Sequence, residues 1–439
     1  MRICLLDIQE HPDGYINRDL AGGYGSATRY GNSPFARTLS LIKRMGLRLP
    51  PLTLGYLAAI FHRAGHEVVF ATNEVPRRRD LFIILSSIVG ARSEMKKGDE
   101  IRRETDTPVC YVGTFASVRP DLYIEHGDSV IAGEPENAAR EIAKGEMPRG
   151  IIKSSPVEHL DSLPFPFWDI FPIYEYSYAP VIMAKPFLTV STSRGCPYPC
   201  FYYCPYTAAQ GRRLRTRTIP GVMEELKELR RKYGIKGSFF RDPIFTIDRN
   251  RSLELADAIE MADLGIRWAC ETHLETLDEA LLSKLYDAGL RAINVGIEGA
   301  SEDVLKRIKR TAVSATHAER IVRYCGRRGI HVSAFYILGS PDDTEENIKR
   351  TLRYAKHLNT DAAQFTISTP YPGTPYYEDM RDMIDVHDWE YYTGFYSVFR
   401  HPRITRGRLH QLKDHAYLSY YLRPKWLLHM IRTIIRGRS

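Results

Sequence analysis

The sequence predicts an α/β protein of two parallel-sheet units: a Rossmann-like unit over residues 1–150 and a partial (β/α)6 barrel over 186–385, with a basic helical region over 386–439. Three observations predict it. Short apolar runs alternate with helical segments throughout the first part, the pattern of strands joined by crossover helices. Six further strand–helix units follow in the second part. Between them lies a stretch, 151–185, that prolines break.

Ile3–Leu6 reads as a buried strand, and Leu52 to Gly65 as a helix closed by a glycine stop. Strands follow at 67–70, 81–85, 109–113 and 129–133. Parallel sheets bind ligands at the loops leaving the carboxyl ends of their strands. Those loops are Ser86-Ser87, Gly113-Thr114-Phe115-Ala116-Ser117 and Gly133-Glu134-Pro135-Glu136. In the linker, Pro156, Pro164, Pro166, Pro172 and Pro180 alternate with Phe165, Phe167, Trp168 and Phe171, aromatics that favour burial at a domain junction. The barrel strands fall near 187–192, 237–242, 267–272, 292–298, 332–338 and 363–369. Barrels of this kind gather their chemistry at the carboxyl ends of the strands.

The chain has 439 residues, 44% hydrophobic and 26% charged, which is ordinary for a globular protein with a large core. The first residues are too short an apolar run for a signal peptide, and no run approaches a membrane span. A cytoplasmic location is expected. Residues 401–439 carry nine Lys/Arg against Asp414, which equals the +8 excess of the whole chain. The remainder is neutral, so no nucleic-acid partner is expected. Cys4, Cys110, Cys270 and Cys325 are scattered and read as small core residues.

Cys196, Cys200 and Cys204 stand apart. They lie on one loop, Arg194-Gly195-Cys196-Pro197-Tyr198-Pro199-Cys200-Phe201-Tyr202-Tyr203-Cys204, directly after the first barrel strand. Three thiolates on a short loop can hold three irons of a [4Fe–4S] cluster. The fourth iron is then open to the amino and carboxylate groups of S-adenosylmethionine (SAM). Structural zinc needs four ligands, and the loop offers no fourth. An odd cysteine number without secretory context argues against disulfides.

This loop resembles the cluster motif of the radical SAM superfamily. The family pattern is C-x3-C-x-aromatic-C. Here the second gap, Phe201-Tyr202-Tyr203, holds one additional residue, which changes the loop path and removes no ligand. The run Leu49-Pro50-Pro51-Leu52 to Ala59, then Ala64-Gly65-His66-Glu67-Val68, resembles the cobalamin-binding domain found upstream of many members. The loops Gly113-Thr114-Phe115-Ala116 and Ala132-Gly133-Glu134-Pro135-Glu136 match later parts of it. That resemblance implies cobalamin contacts from Gly113, Thr114, Gly133 and Glu134, and the strand-end position adds Ser86 and Ser87. The D-x-H-x-x-G motif is missing: the one D-x-H, Asp385-Val386-His387, lies outside this domain, with Glu390 in place of glycine. No histidine from that motif would therefore hold cobalt. The plain alternative is a Rossmann-like domain that binds nothing.

In the barrel, the resemblance implies that Glu298 approaches the ribose or methionine part of SAM, Asp242 its amino group, and Tyr336 and Leu338 its adenine. A rim salt bridge is the plain alternative for each acid. Glu271 and His273 could act as acid–base groups; the branch often has Arg where His273 stands. Tyr203 and Tyr202 could relay protons or electrons, or simply pack over the cluster.

The expectation is a radical SAM enzyme with a [4Fe–4S] cluster and cobalamin that methylates an unactivated carbon of a small-molecule or lipid substrate. An electron donor such as flavodoxin or ferredoxin is implied. The alternatives are radical cyclisation or rearrangement of a lipid, hopanoid or tetrapyrrole, or a non-catalytic cobalamin-binding protein. The related tRNA methylthiotransferases need a second cysteine triad, which Cys4 and Cys110 cannot make. At the C-terminus, Trp426, Met430, Ile431, Ile434 and Ile435 recur at helical spacing beside Arg423, Lys425, Arg432 and Arg436. That pattern fits a helix lying on an anionic membrane surface or one docked on the barrel.

Overall fold

The computed structural model describes residues 1–428 apart from positions 13, 19, 28 and 32. Two six-stranded parallel sheets form its framework. The first comprises β1 (Arg2–Asp7), β2 (Glu67–Thr72), β3 (Leu81–Leu85), β4 (Val109–Val112), β5 (Ser129–Gly133) and β6 (Gly150–Ser154), in the order β2-β1-β3-β4-β5-β6. The order reverses between β1 and β3, which places the ligand crevice of such a sheet at their carboxyl ends. β3 is buried along its whole length, as expected of a strand covered on both faces. β6 lies within the stretch expected to be linker. It is a largely exposed edge strand, so its apolar signal is weak.

The second sheet comprises β7 (Phe187–Val190), β8 (Gly237–Phe240), β9 (Arg267–Thr272), β10 (Leu290–Glu298), β11 (His331–Leu338) and β12 (Ala362–Ile367), paired in sequence order. All five pairings are parallel, giving a partial (β/α)6 barrel.

The linker between the sheets is packed. Helix α1 (Leu52–Arg63) carries Gly55 against the ring of Trp168, and Phe167 donates its N–H to Gly55 O at 3.0 Å. Trp168 and Phe171 are buried. Tyr178 stacks on Phe239 at 4.7 Å, and its hydroxyl accepts from Asn294 at 2.6 Å, wedging a linker aromatic among the barrel strands.

The C-terminal helix α2 (Arg406–Tyr421) covers the free edge of β12. Tyr417 bonds both N–H and C=O of Phe365 at 3.0 Å, and Tyr421 does the same for Ala363 at 2.9 and 2.7 Å. Tyrosine hydroxyls thus satisfy backbone groups that an open edge would present to another chain. Beyond α2, Arg423 donates to Lys356 O at 2.6 Å and Trp426 Nε1 to Asp361 O at 3.0 Å. Two members of the expected membrane-facing helix are thereby turned onto the barrel. Met430, Ile431, Ile434, Ile435, Arg432 and Arg436 lie outside the described residues. Among the described residues, no helix is long and apolar enough to cross a membrane.

Candidate active site

The cysteine loop leaves the carboxyl end of β7 through a short stem in which Ser193-Arg194 pairs antiparallel with Arg215-Thr216. Gly195 closes the stem with φ +87°, and a Cβ there would lie 2.0 Å from Arg213 O, so only glycine fits. Cys196 N–H donates to Gly211 O at 3.2 Å. Cys200 then opens one helical turn: its carbonyl accepts from Tyr203 at 3.1 Å and from Cys204 at 2.9 Å. The additional residue of the second gap completes this turn. Side chains four apart in a helical turn share a face, so Cys200 and Cys204 project together.

Cys196 and Cys200 are buried and Cys204 is half-buried. Burial raises all three thiols, and the Arg310 cation pulls Cys196 and Cys200 back down. Among the described residues, no three His, Cys, Asp or Glu side chains converge on a single ion. The triad suits a polynuclear group in which each thiolate binds its own iron.

Arg310 is the residue that sequence reasoning missed. Its guanidinium lies 3.9 Å from Cys200 Sγ, 2.6 Å from Gly296 O and 3.8 Å from Glu298 Oε1. No motif spacing marks it: it reaches the site from the turn after the helix that follows β10. Glu298 is brought in by a break in register between Gly296 and Glu298 and takes φ +63°, a strained conformation that re-aims its side chain. Burial raises the Glu298 carboxyl pKa, against the opposing pull of Arg310 and a hydrogen bond from Tyr203. Glu298, Tyr203, Arg310 and Cys200 therefore form one cluster.

His273 directly follows β9, its ring 5.3 Å from that of Tyr198 on the cysteine loop. Nδ1 accepts the Glu275 N–H at 3.2 Å, so the neutral ring carries its proton on Nε2, which is buried without a partner. Burial, with the Arg310 charge, lowers its pKa to about 3. A ring held neutral in this way is a hydrogen-bond donor toward a ligand and a poor base near neutrality. Glu271 pairs with Arg241 at 3.1 Å.

Asp242, Tyr336 and Leu338, the other expected SAM contacts, are buried. Asp242 spends both oxygens on the root of the cysteine loop: Oδ1 accepts from Thr192 N at 2.7 Å and Ser193 N at 2.9 Å, and Oδ2 from the Thr192 hydroxyl. It holds the root of the loop. Tyr336 is fully buried, stacks on Phe365 at 5.2 Å, and sits beneath the tyrosines of α2. It faces the helix layer. Leu338, two residues on, shares that face by strand alternation and is also buried.

In the first sheet, Ser86, Ser87, Gly113, Thr114, Gly133 and Glu134 do gather at the carboxyl edge. Their side chains are already engaged. Ser86 Oγ accepts from Ala116 N at 3.0 Å, Ser87 donates to Glu94 at 2.8 Å, and Thr114 donates to Gly22 O at 3.0 Å. Gly113 and Gly133 adopt φ +114° and +106°. Glu134 binds Arg194 and Arg215 across the junction with the barrel. The edge faces the cysteine loop: Gly22 packs against the backbone of Tyr206, and Gly373 after β12 against Val118.

The sequence pattern of the Radical SAM superfamily matches residues 190–355, the segment that holds the triad, Asp242, Glu298 and Arg310. That segment carries the radical SAM pattern. It is 29% identical to an uncharacterized methyltransferase of Pyrococcus horikoshii, covering 89% of this chain and 92% of that one. It is 24% identical to the anaerobic magnesium-protoporphyrin IX monomethyl ester cyclase of Rubrivivax gelatinosus, covering 86% and 75%. Among solved structures it shares the fold of the radical S-adenosylmethionine methyltransferase TsrM from Kitasatospora setae with cobalamin and [4Fe–4S] cluster bound. The TM-score is 0.65 at 18% identity, over 87% of this chain and 78% of that one.

Proposed function

We propose that this radical SAM protein is a methyltransferase that uses a [4Fe–4S] cluster, SAM and cobalamin to alkylate a carbon of a small organic substrate. The observation that carries the reading is the triad Cys196, Cys200 and Cys204 at the end of β7, with Glu298 and Arg310 beside it. The donor set fits a cluster with one open iron. Glu298 and Arg310 offer one anion and one cation beside Cys200, the charges that complement the ammonium and carboxylate of an amino-acid moiety. The His273 Nε2–H is a further donor left without a protein partner.

When bound, SAM and cobalamin supply radical initiation and a methyl carrier, chemistry that no side chain provides. The chain's own groups position them. Asp242 fixes the root of the cysteine loop, Tyr203 steadies Glu298, and Arg310 balances the charge of Cys200. For cobalamin, the support is placement: the ligand edge of the first sheet faces the cysteine loop, and the P. horikoshii relative is named a methyltransferase. The named hydroxyls of that edge are engaged elsewhere, and no histidine motif is available for cobalt. A one-electron donor of the flavodoxin or ferredoxin type completes the reading. Arg212, stacked 4.1 Å over Phe201, and Lys309, 5.0 Å over Tyr202, give the loop's outer face a positive character suited to such acidic partners.

Anaerobic reconstitution tests the reading, with iron counting, optical spectra and assay of 5′-deoxyadenosine and of label transfer from methyl-labelled SAM. The wild-type protein should assemble about four irons per chain and retain cobalamin. Replacing Cys196, Cys200 and Cys204 together by Ala should abolish cluster assembly. Cluster assembly in that variant would refute the site; product without transferred label would favour cyclisation or rearrangement.

A further inference from the structure

The junction between the two sheets holds a buried four-charge network. Glu134 follows β5 and Glu136 opens the helix after it. Arg194 and Arg215 face each other across the stem of the cysteine loop. Arg194 donates to Glu134 at 3.0 Å and to Glu136 at 2.7 Å, while Arg215 donates to both oxygens of Glu134 and to Val157 O at 2.6 Å. None of the four side chains is more than 8% exposed. Arg194 also lies 5.3 Å over the ring of Tyr56 in α1.

We propose that Glu134 and Glu136 are positioning residues for the cluster, held in the first unit and acting on the barrel. Arg194 stands two residues before Cys196, and the next residue is the glycine that turns the chain. The path into Cys196 is therefore fixed from the neighbouring unit as well as from β7. A buried ion network is a poor source of net stability, because desolvation offsets the attraction of the charges. What it supplies is a defined geometry, since each guanidinium fork accepts few arrangements of its carboxylates. One oxygen of Glu136 is buried without a partner, so the network also has an unfilled acceptor next to the loop it holds.

The inference rests on the cluster reading above. Its test compares Glu134→Gln and Glu136→Gln with Glu158→Gln. Glu158 pairs with Arg213 on the same loop, but that pair is exposed, with side chains 54% and 69% accessible. Each protein is reconstituted and measured for iron content, paramagnetic resonance of the reduced cluster and midpoint potential. In parallel, the cluster-free protein is alkylated and modification of Cys196 followed by mass spectrometry. Removing a buried anion leaves an uncompensated cation near the cluster. Glu134→Gln should therefore shift the midpoint to a more positive value, alter the resonance and speed alkylation of Cys196 several-fold, while Glu158→Gln matches wild type. Adding Arg215→Gln to Glu134→Gln should reverse part of the shift in potential. If Glu134→Gln does not fold, Glu136→Gln, which touches only Arg194, carries the same expectations. Folded variants with wild-type resonance, potential and Cys196 reactivity would overturn the proposal, as would failure of both variants to fold, which would assign the network to stability alone. A wild-type protein that assembles no cluster would sink the cluster reading instead, and the alkylation comparison would still decide the positioning role.

Discussion

Arg310 and His273 show how much of the site depends on single charges placed out of water. Arg310 faces Cys200, Gly296 O and Glu298 at once, and its removal would strand a buried carboxylate. Arg310→Gln should weaken SAM binding about tenfold to a hundredfold, the worth of one charge-assisted hydrogen bond at ~1.5–3 kcal/mol. Arg310→Lys should recover part of the loss. Equilibrium dialysis on the reconstituted protein reads both, and wild-type affinity in Arg310→Gln would remove Arg310 from the ligand site. His273 has a signature in pH. Its folded pKa, about 3, lies below its ordinary value of 6.5. The neutral form is favoured in the fold, so its contribution is fully present above about pH 6.5 and is lost progressively as pH falls toward about 3. Gln takes up no proton. The stability difference between wild type and His273→Gln should therefore shrink or reverse across that window. Urea unfolding of the cluster-free proteins at several pH values measures it, and a difference independent of pH would show His273 to be solvated.

At the scale of elements, the root of the cysteine loop is the part most dependent on one side chain. Asp242 at the end of β8 accepts two backbone N–H groups and a hydroxyl from Thr192 and Ser193. Asp242→Ala would leave those donors buried without partners, at a cost of ~3 kcal/mol. Urea unfolding should show the loss, and iron content should fall with it. Gly195→Ala should impair cluster assembly by another route, through the backbone contact with Arg213 O. Wild-type iron content in Gly195→Ala would mean that the stem can open without losing the triad. The sequence revealed much at this scale. All six barrel strands, the loop after the first of them and the buried linker aromatics were legible from apolar runs, cysteine spacing and proline breaks. The facing of strand residues was not. A parallel strand covered on both sides is apolar on both, so nothing in Phe335-Tyr336-Ile337-Leu338 says which ring meets a ligand and which meets α2. Asp242 looked like a ligand because it is an acid at a strand end, but its partners belong to another strand's loop. Glu134 looked like part of a cobalamin loop, but its partners lie about sixty to eighty residues away in sequence, a distance at which no local pattern speaks.

For the whole molecule, the basic C-terminal region decides how the surface is read. Its charge excess resembles a free cationic patch in the sequence, but most of its described cations have partners within the protein, while Lys425 is exposed. Arg406 pairs with Asp385, Arg408 with Glu345, Lys413 donates to Phe395 O, and Arg423 to Lys356 O. Trp426 packs edge-on against Tyr421 at 4.8 Å and bonds Asp361 O. Arg423 and Trp426 thus help to cap the last barrel strands. Truncation after Tyr421 removes one aromatic pair and the Arg423 and Trp426 hydrogen bonds, ~2–4 kcal/mol together. The truncated protein should unfold at a lower urea concentration. Flotation with anionic vesicles should be the same for the two forms at low and at high salt, since electrostatic attachment would show itself as binding that salt removes. Flotation of the full chain alone, abolished by salt, together with an unchanged urea midpoint, would instead make the segment a membrane contact.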